Sequence, residues 1–277
     1  MVNRVQRFRY IKEKTNAMKR LYLFFILFFI AGFVHAQPLG NRKEPVFKVG
    51  EVLKYRLKYG FITAAEATLS VKASDLKFDN LPVYHLLAEG RTSGTFDIFH
   101  KVRNRYNSYV HQTELTPFFY AETIRENRYK RDDKARFYQD EKKVVSNKGT
   151  FFSKQSQTFD IVSAYYFARS LDLSKVKPND KFTMTYFLND GLADLEIIYI
   201  GKERVKTNLG YFDCLKFNPS IQAGRIFKDD SKLYLWITDD GNRIPVKAQV
   251  EILVGTVTME LTAASGLKYP LGVSKNK

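Results

Sequence analysis

Hydrophobic residues recur at every second position through most of the chain, the spacing of a strand with one buried and one wet face. Leu53, Tyr55, Leu57 and Tyr59 alternate with Lys54, Arg56 and Lys58, and Ala65, Ala67, Leu69, Val71 and Ala73 alternate with Glu66, Thr68, Ser70 and Lys72. The period returns at Phe182/Met184/Tyr186/Leu188, Leu195/Ile197/Tyr199, Leu233/Leu235/Ile237, Val246/Ala248/Val250/Ile252/Val254 and Val257/Met259/Leu261. Turn-forming groups separate the runs: Asp79-Asn80, Asn147-Lys148-Gly149, Asn189-Asp190-Gly191, Asn208-Leu209-Gly210 and Asp239-Asp240-Gly241-Asn242. Gly and Asn accept positive φ and Asp caps its own turn, so these read as hairpin connections. About a dozen strands follow, at the spacing of sandwiches and barrels.

One segment departs from this rule. From Asp160 to Leu171 the period is helical, with Asp160 as N-cap and Ile161, Tyr165, Ala168 and Leu171 on one face. A meander this long does not stay flat, because sheets twist and curl. The expected fold is therefore mainly β: an antiparallel meander curled into a barrel or half-barrel, with one central helix at about residues 160–171 covering its open mouth. No linker composition and no repeat appears between Gln37 and Gly266, which predicts a single domain over 37–266 and a frayed tail over 267–277.

The first 36 residues read as an address. Met18-Lys19-Arg20 precedes an unbroken apolar run from Leu21 to Val34, which ends in Val34-His35-Ala36 before Gln37. A basic segment, an apolar segment and a small-residue site make a secretory leader. The run is shorter than the roughly 20 residues that span a bilayer, so no transmembrane span is expected after cleavage. Met18 follows five cations and is an alternative start. The formal charge of the 277 residues is +16. The leader holds seven of the 45 cations and one of the 29 anions, so 38 cations face 28 anions in the remaining 241 residues, a net +10. That charge is spread along alternating strands such as Lys54, Arg56 and Lys58, which argues for a wet sheet face rather than a nucleic-acid partner.

Catalytic signatures are sparse. With one cysteine and four histidines, no disulfide framework or multi-Cys metal site forms. His85, His100 and His111 read as structural, and Cys214, between aromatics in Tyr211-Phe212-Asp213-Cys214, as a small buried hydrophobe. G-x-S-x-G, S-x-x-K, P-loop and G-x-G-x-x-G patterns are absent. Neighbouring acids such as Asp132-Asp133, Asp229-Asp230 and Asp239-Asp240 point apart on a strand, so a hydrolytic pair needs different strands. Asp239-Asp240-Gly241-Asn242 lacks the EF-hand spacing and reads as a solvated turn. The basic stretches Arg125–Arg131 and Lys101–Arg105 read as wet faces balanced by Glu122, Glu126, Asp132 and Asp133. Aromatics are the richest feature, 33 of 41 lying beyond the leader. In Thr116-Pro117-Phe118-Phe119-Tyr120 and Tyr165-Tyr166-Phe167 they cannot all face one core. A second covering surface or an enclosed cavity accommodates them, and Phe118, Tyr120, Tyr165, Tyr166 and Trp236 are the candidate ligand-binding residues. No catalytic residue, metal or cofactor is expected.

Four blocks carry a family resemblance: Gly50-Glu51-Val52-Leu53-Lys54-Tyr55 with Thr63–Leu69; the helix Asp160–Arg169; Val205–Phe212; and Leu235-Trp236-Ile237-Thr238-Asp239-Asp240-Gly241-Asn242-Arg243-Ile244-Pro245-Val246. In this order they resemble the domain of unknown function DUF3108, found in exported bacterial proteins. The phenylalanine-rich leader is similar to those of Bacteroidetes-type bacteria. The resemblance implies an exported β-rich domain, periplasmic or secreted, and no activity. In architecture it is similar to the LolA and LolB lipoprotein carriers, a likeness that does not establish function. The functional expectation is an exported envelope protein that binds an apolar or amphiphilic ligand, or an envelope partner, without catalysis. The alternatives are a hydrolase of envelope glycan or lipid and a structural or assembly module.

Overall fold

The structure, a computed structural model, describes residues 44–220, 232–251 and 255–275. The leader, Ile252, Val254, Asp229-Asp230 and the last two residues of the tail lie outside the described residues. The chain divides into two units, Met1–Gln37 and Pro38–Lys277, and every described residue belongs to the second.

The fold grows outward in both directions from β1 (Val52–Tyr59). On one side the antiparallel order runs through β2 (Ile62–Lys72), β4 (Leu81–Thr92), β5 (Arg103–His111), β6 (Pro117–Glu126), β7 (Tyr129–Tyr138), β8 (Lys143–Ser146) and β9 (Gly149–Phe152). On the other it runs through β16 (Thr256–Ser265), β15 (Pro245–Glu251), β14 (Leu233–Thr238), β13 (Gly210–Pro219), β12 (Gly191–Thr207) and β11 (Lys181–Leu188) to β10 (Thr158–Phe159), which pairs in parallel. Two short strands complete the set: β3 (Lys77–Phe78) beside β4, and β17 (Val273–Ser274) beside β13.

The two edges are therefore β9 and β10, consecutive in the chain. No backbone ladder joins them among the described residues; side chains bridge the gap. The Gln139 amide donates to the carbonyls of Thr158 (2.9 Å) and Pro117 (3.2 Å) and accepts from the Thr158 amide (3.0 Å). Phe137 of β7 and Phe151 of β9 pack on Phe187 of β11, with ring centroids 6.3 and 5.2 Å apart. Met184 lies in the main core, and Phe187, three residues on, faces the opposite side of β11. The sheet thus rolls until one edge laps over the outer face of the other. This is the curled half-barrel that the alternation predicts.

The predicted helix is α2 (Ile161–Arg169), inside the roll against β4, β5, β10 and β11. A shorter helix, α1 (Thr95–Phe99), between β4 and β5, gave no sequence signal. Asp160 is the N-cap, as expected. Its Oδ1 accepts from the Val162 and Ser163 amides, each at 2.9 Å, and Ser163 Oγ accepts from the Asp160 amide at 2.9 Å. Ser108 Oγ of β5 donates to the other carboxylate oxygen at 2.6 Å, tying the helix start to the sheet. The expected apolar face is corrected. Ile161 is exposed, and the buried positions are Val162, Ser163, Ala164, Tyr166, Phe167 and Arg169. A helix inside a curled sheet is covered from several directions, so a single stripe is not required of it.

At the helix C-terminus the fold closes on a buried ion pair. Arg169, with its side chain 1% exposed, meets Glu51 at 0%, through Nη1–Oε1 at 2.6 Å and Nη2–Oε2 at 2.9 Å. Arg169 also donates to the Asn242 carbonyl (3.0 Å from Nη2) and lies over Tyr166 at 5.2 Å. Burial works against this charge, yet Glu51 outweighs it and holds the guanidinium above its ordinary pKa.

The tail expected to fray is instead docked here. Asn242 Nδ2 donates to the carbonyls of Tyr269 and Pro270, both at 3.0 Å, and its Oδ1 accepts from the Tyr269 amide at 3.0 Å. Leu267 and Leu271 pack on the core that contains Leu53, Phe212 and Ile244. Gly266, at φ 64, makes the turn possible, because a Cβ there would strike the Gly50 carbonyl oxygen.

Two predictions follow. Removing either partner alone, as Glu51→Gln or Arg169→Met, is expected to cost about 3–5 kcal/mol of stability, because it strands the other in the interior. Combining them, as Glu51→Gln/Arg169→Met, is expected to cost less than the two single losses together; urea unfolding of the four proteins measures this cycle. The second concerns Asp160, whose pKa burial raises above the ordinary 3.8, against the hydrogen bonds from Ser108 and Ser163. A raised carboxyl favours the fold while protonated, and that contribution is lost as pH rises through its folded pKa. Asp160→Asn keeps the cap and removes the charge. Its stability relative to the native chain should therefore rise between about pH 3 and pH 7, and a fall over that window in urea titrations would contradict the assignment.

Candidate functional site

A groove of about 550 Å³ crosses the face of β16, β1, β2, β4 and β5 that points away from the helix. Register builds it. Lys54, Thr68, Glu89 and Arg105 stand opposite one another across four strands, and Glu66, Arg91 and Arg103 form the next row. Between the rows lie Ala67, Gly90 and Asn104, whose side positions alternate inward, so backbone makes the floor. The lining holds four cations, Lys54, Arg91, Arg103 and Arg105, and two anions, Glu66 and Glu89.

These charges are loosely committed. Arg91 reaches Glu66 at 2.8 Å and Arg105 reaches Glu89 at 3.7 Å, with all four side chains at least 40% exposed. Exposed pairs of this kind contribute roughly 0–1 kcal/mol, so an incoming anion displaces them at little cost. Arg103 is held by Asp97 at 2.6 Å, and hydrogen bonds from Arg103 and Thr92 lower the Asp97 carboxyl to about 2. Among the described residues no hydrogen bond or salt bridge engages the Lys54 ammonium. The sequence marked these residues only as a wet face; their convergence depends on register and on the curl.

The aromatic candidates do not share one site. Phe118 is an extra residue at an irregularity in the β5–β6 ladder. It lies half-buried on the outer face, stacked on Phe78 at 5.8 Å with Arg136 at 5.5 Å. Tyr120 points inward, is buried, and donates to Glu122 Oε2 at 2.8 Å. Tyr165 shares a hydroxyl contact of 2.9 Å with Tyr55, and Tyr166 packs edge-on against Phe47 at 4.8 Å. Trp236 is buried, with the ammonium groups of Lys216 and Lys247 each 5.0 Å from its ring. Only Tyr165 and Tyr166 touch, with centroids 5.1 Å apart. The two-faced aromatics are accommodated by separate clusters on both sides of the sheet.

The remaining chemistry is accounted for locally. His85 Nε2 bonds Asn107 at 3.0 Å beneath Tyr109, and burial lowers its pKa. His100 bonds Asn127, and His111 Nδ1 accepts from the Thr113 and Glu114 amides. Burial pushes the Cys214 thiol up to about 12, which keeps it protonated and unreactive. Three carboxylates from different elements, Glu122, Asp133 and Asp190, do converge, but on the guanidinium of Arg131 rather than on a cleft. The turn read as solvated is a structural knot: Asp240 Oδ1 accepts from Thr238 Oγ1 and from the Asn242 and Arg243 amides, and Asn242 is fully buried. Among the described residues no group of three His, Cys, Asp or Glu is placed to hold a metal ion, and no helix is long and apolar enough to cross a membrane.

Comparison with solved structures agrees with the rolled sheet. A β-barrel-like protein from Brucella abortus, of the domain of unknown function DUF1849, superposes with a TM-score of 0.53 at 9% identity, covering 81% of this chain and 99% of its own. A Bacteroides fragilis protein with a YmcC-like fold gives 0.34 at 11% identity, covering 82% and 100%. A hypothetical protein from Chlamydia trachomatis gives 0.36 at 7%, covering 83% and 94%. The first of these shows a shared fold and nothing about activity. No curated protein matches the chain. The family model for DUF3108, a protein of unknown function, matches residues 54–262, from the groove lysine through the helix to the last long strand, and the chain belongs to that family.

Proposed function

We propose that this protein is an exported, non-catalytic binding protein of the bacterial envelope, periplasmic or secreted, whose outer groove holds the anionic head of an amphiphile. The cation surplus of the groove carries the reading. Arg91, Arg103 and Arg105 present planar forks suited to phosphate or carboxylate oxygens, and Thr68, Thr262 and Asn104 add neutral polar groups. The interior contributes rigidity, since α2 and its aromatic neighbours fill it. The leader, with its basic start and small-residue end, supports export.

Titration calorimetry with lysophosphatidylglycerol, below its micellar concentration, tests this. The native chain is expected to bind it, and the double substitution Arg91→Glu/Arg105→Glu to weaken binding at least about tenfold. Both positions are exposed, so the fold should survive. Equal affinity for zwitterionic lysophosphatidylcholine, or no effect of the double substitution, would overturn the proposal.

A further inference from the structure

One end of the roll presents large apolar side chains to solvent. Phe61 is 95% exposed, Ile98 82% and Phe99 77%, with Ile62 and Tyr129 also exposed. They come from three successive connections: β1 to β2, α1 between β4 and β5, and β6 to β7. Hydrogen bonds fasten these connections together. The Ser93 amide donates to Ala64 O at 3.1 Å, the Asn127 amide to Lys101 O at 2.8 Å, and the Lys101 amide to Asn127 Oδ1 at 2.8 Å. The result is a braced crest rather than three independent loops.

A side chain exposed at 95% touches almost nothing of its own protein. Knobs that stand clear bury little area against a rigid partner, whereas a fluid interface closes around them. Cations outnumber acids beside them, with Lys101, Arg103, Arg125, Arg128 and Lys130 against Asp97, Glu126 and Asp132. Lys101, Arg128 and Lys130 are exposed, and among the described residues none of them forms a salt bridge, although Lys101 helps to lower the Asp97 carboxyl. Of these acids, Asp97 is held by Arg103 and Asp132 by Arg125, and Glu126 accepts from the Asn104 side-chain amide at 2.7 Å. Apolar tips flanked by a surplus of cations match a bilayer surface with anionic head groups.

We propose that this crest docks the protein on an anionic lipid surface, with Phe61, Ile98 and Phe99 entering the head-group region and Lys101, Arg128 and Lys130 meeting phosphates. This surface adjoins the groove, where Arg103 holds Asp97 of α1, but it does not depend on the groove's ligand.

The test uses Phe61→Trp in the full chain, with vesicles of brominated phosphatidylglycerol and phosphatidylcholine. The native Trp236 is buried, so new quenching reports position 61 whatever other segment binds lipid. The expected result is quenching of the new tryptophan. Adding Ile98→Ser/Phe99→Ser, or Lys101→Glu/Lys130→Glu, should reduce it at least about fivefold. Adding Arg91→Glu/Arg105→Glu should leave it intact, which keeps the crest and the groove distinguishable. An unquenched tryptophan on vesicle-bound protein would overturn the proposal, as would quenching equally strong on pure phosphatidylcholine. Concentration-dependent dimerisation abolished by Ile98→Ser/Phe99→Ser, without quenching, would assign the crest to a second copy and overturn it too.

Discussion

The ion pair between Arg169 and Glu51 is the constraint on which the rest of the structure depends. A charge that is 1% exposed is costly unless every donor is met. Here two guanidinium nitrogens take the carboxylate, the Asn242 carbonyl takes more, and the Tyr166 ring lies against the cation. Satisfying that one side chain fixes the helix C-terminus, the entry to β1 and the β14–β15 turn at one point. The turn then fixes the tail, because the same Asn242 binds Tyr269 and Pro270 with its side chain. Four segments distant in sequence thereby close one end of an otherwise open sheet.

The two ends of the roll differ as a consequence. The end with Arg169 is closed, and its turns are locked by buried polar atoms such as those of Asp240 and Asn242. Among the described residues the opposite end is braced by exposed hydrogen bonds such as those between Asn127 and Lys101 rather than by a buried ion pair. Its connections, two hairpins and α1, carry Phe61, Phe99 and Tyr129 into solvent, and the cationic groove lies on the strands leading to them. With α2 and its aromatic neighbours inside the roll and one end closed, the proposed recognition surfaces lie on the outer face and at the other end.

Much of this was legible in the sequence, and what was hidden follows a physical rule. Alternation along Leu53–Tyr59 and Ala65–Ala73 revealed strands because a half-buried strand must alternate. Asp160 announced its helix because capping is local. Glu51 and Arg169 gave no such signal: they lie 118 positions apart, and each alone looks like a wet residue. The apolar stripe through Ile161 misled, because a helix inside a roll has no single buried face. The tail misled as well, since its anchors, Leu267, Leu271 and the Tyr269 backbone, have partners only after β14 and β15 have turned at Asn242. The groove belongs to the same class, being a product of register between five strands. Two of the four blocks that carry the family resemblance, around Glu51 and Asn242, meet the end of the helix block at Arg169, so the resemblance tracked a contact that pattern alone could not reveal.

Hydrogen exchange on the Arg169→Met chain tests most directly whether that contact unites the closed end. The predicted result is that amides of 161–169 and of 266–274 lose protection together and by the same factor, while those of β5 and β6 keep theirs. Loss of protection in the helix with the tail unchanged would show that the ion pair does not couple them.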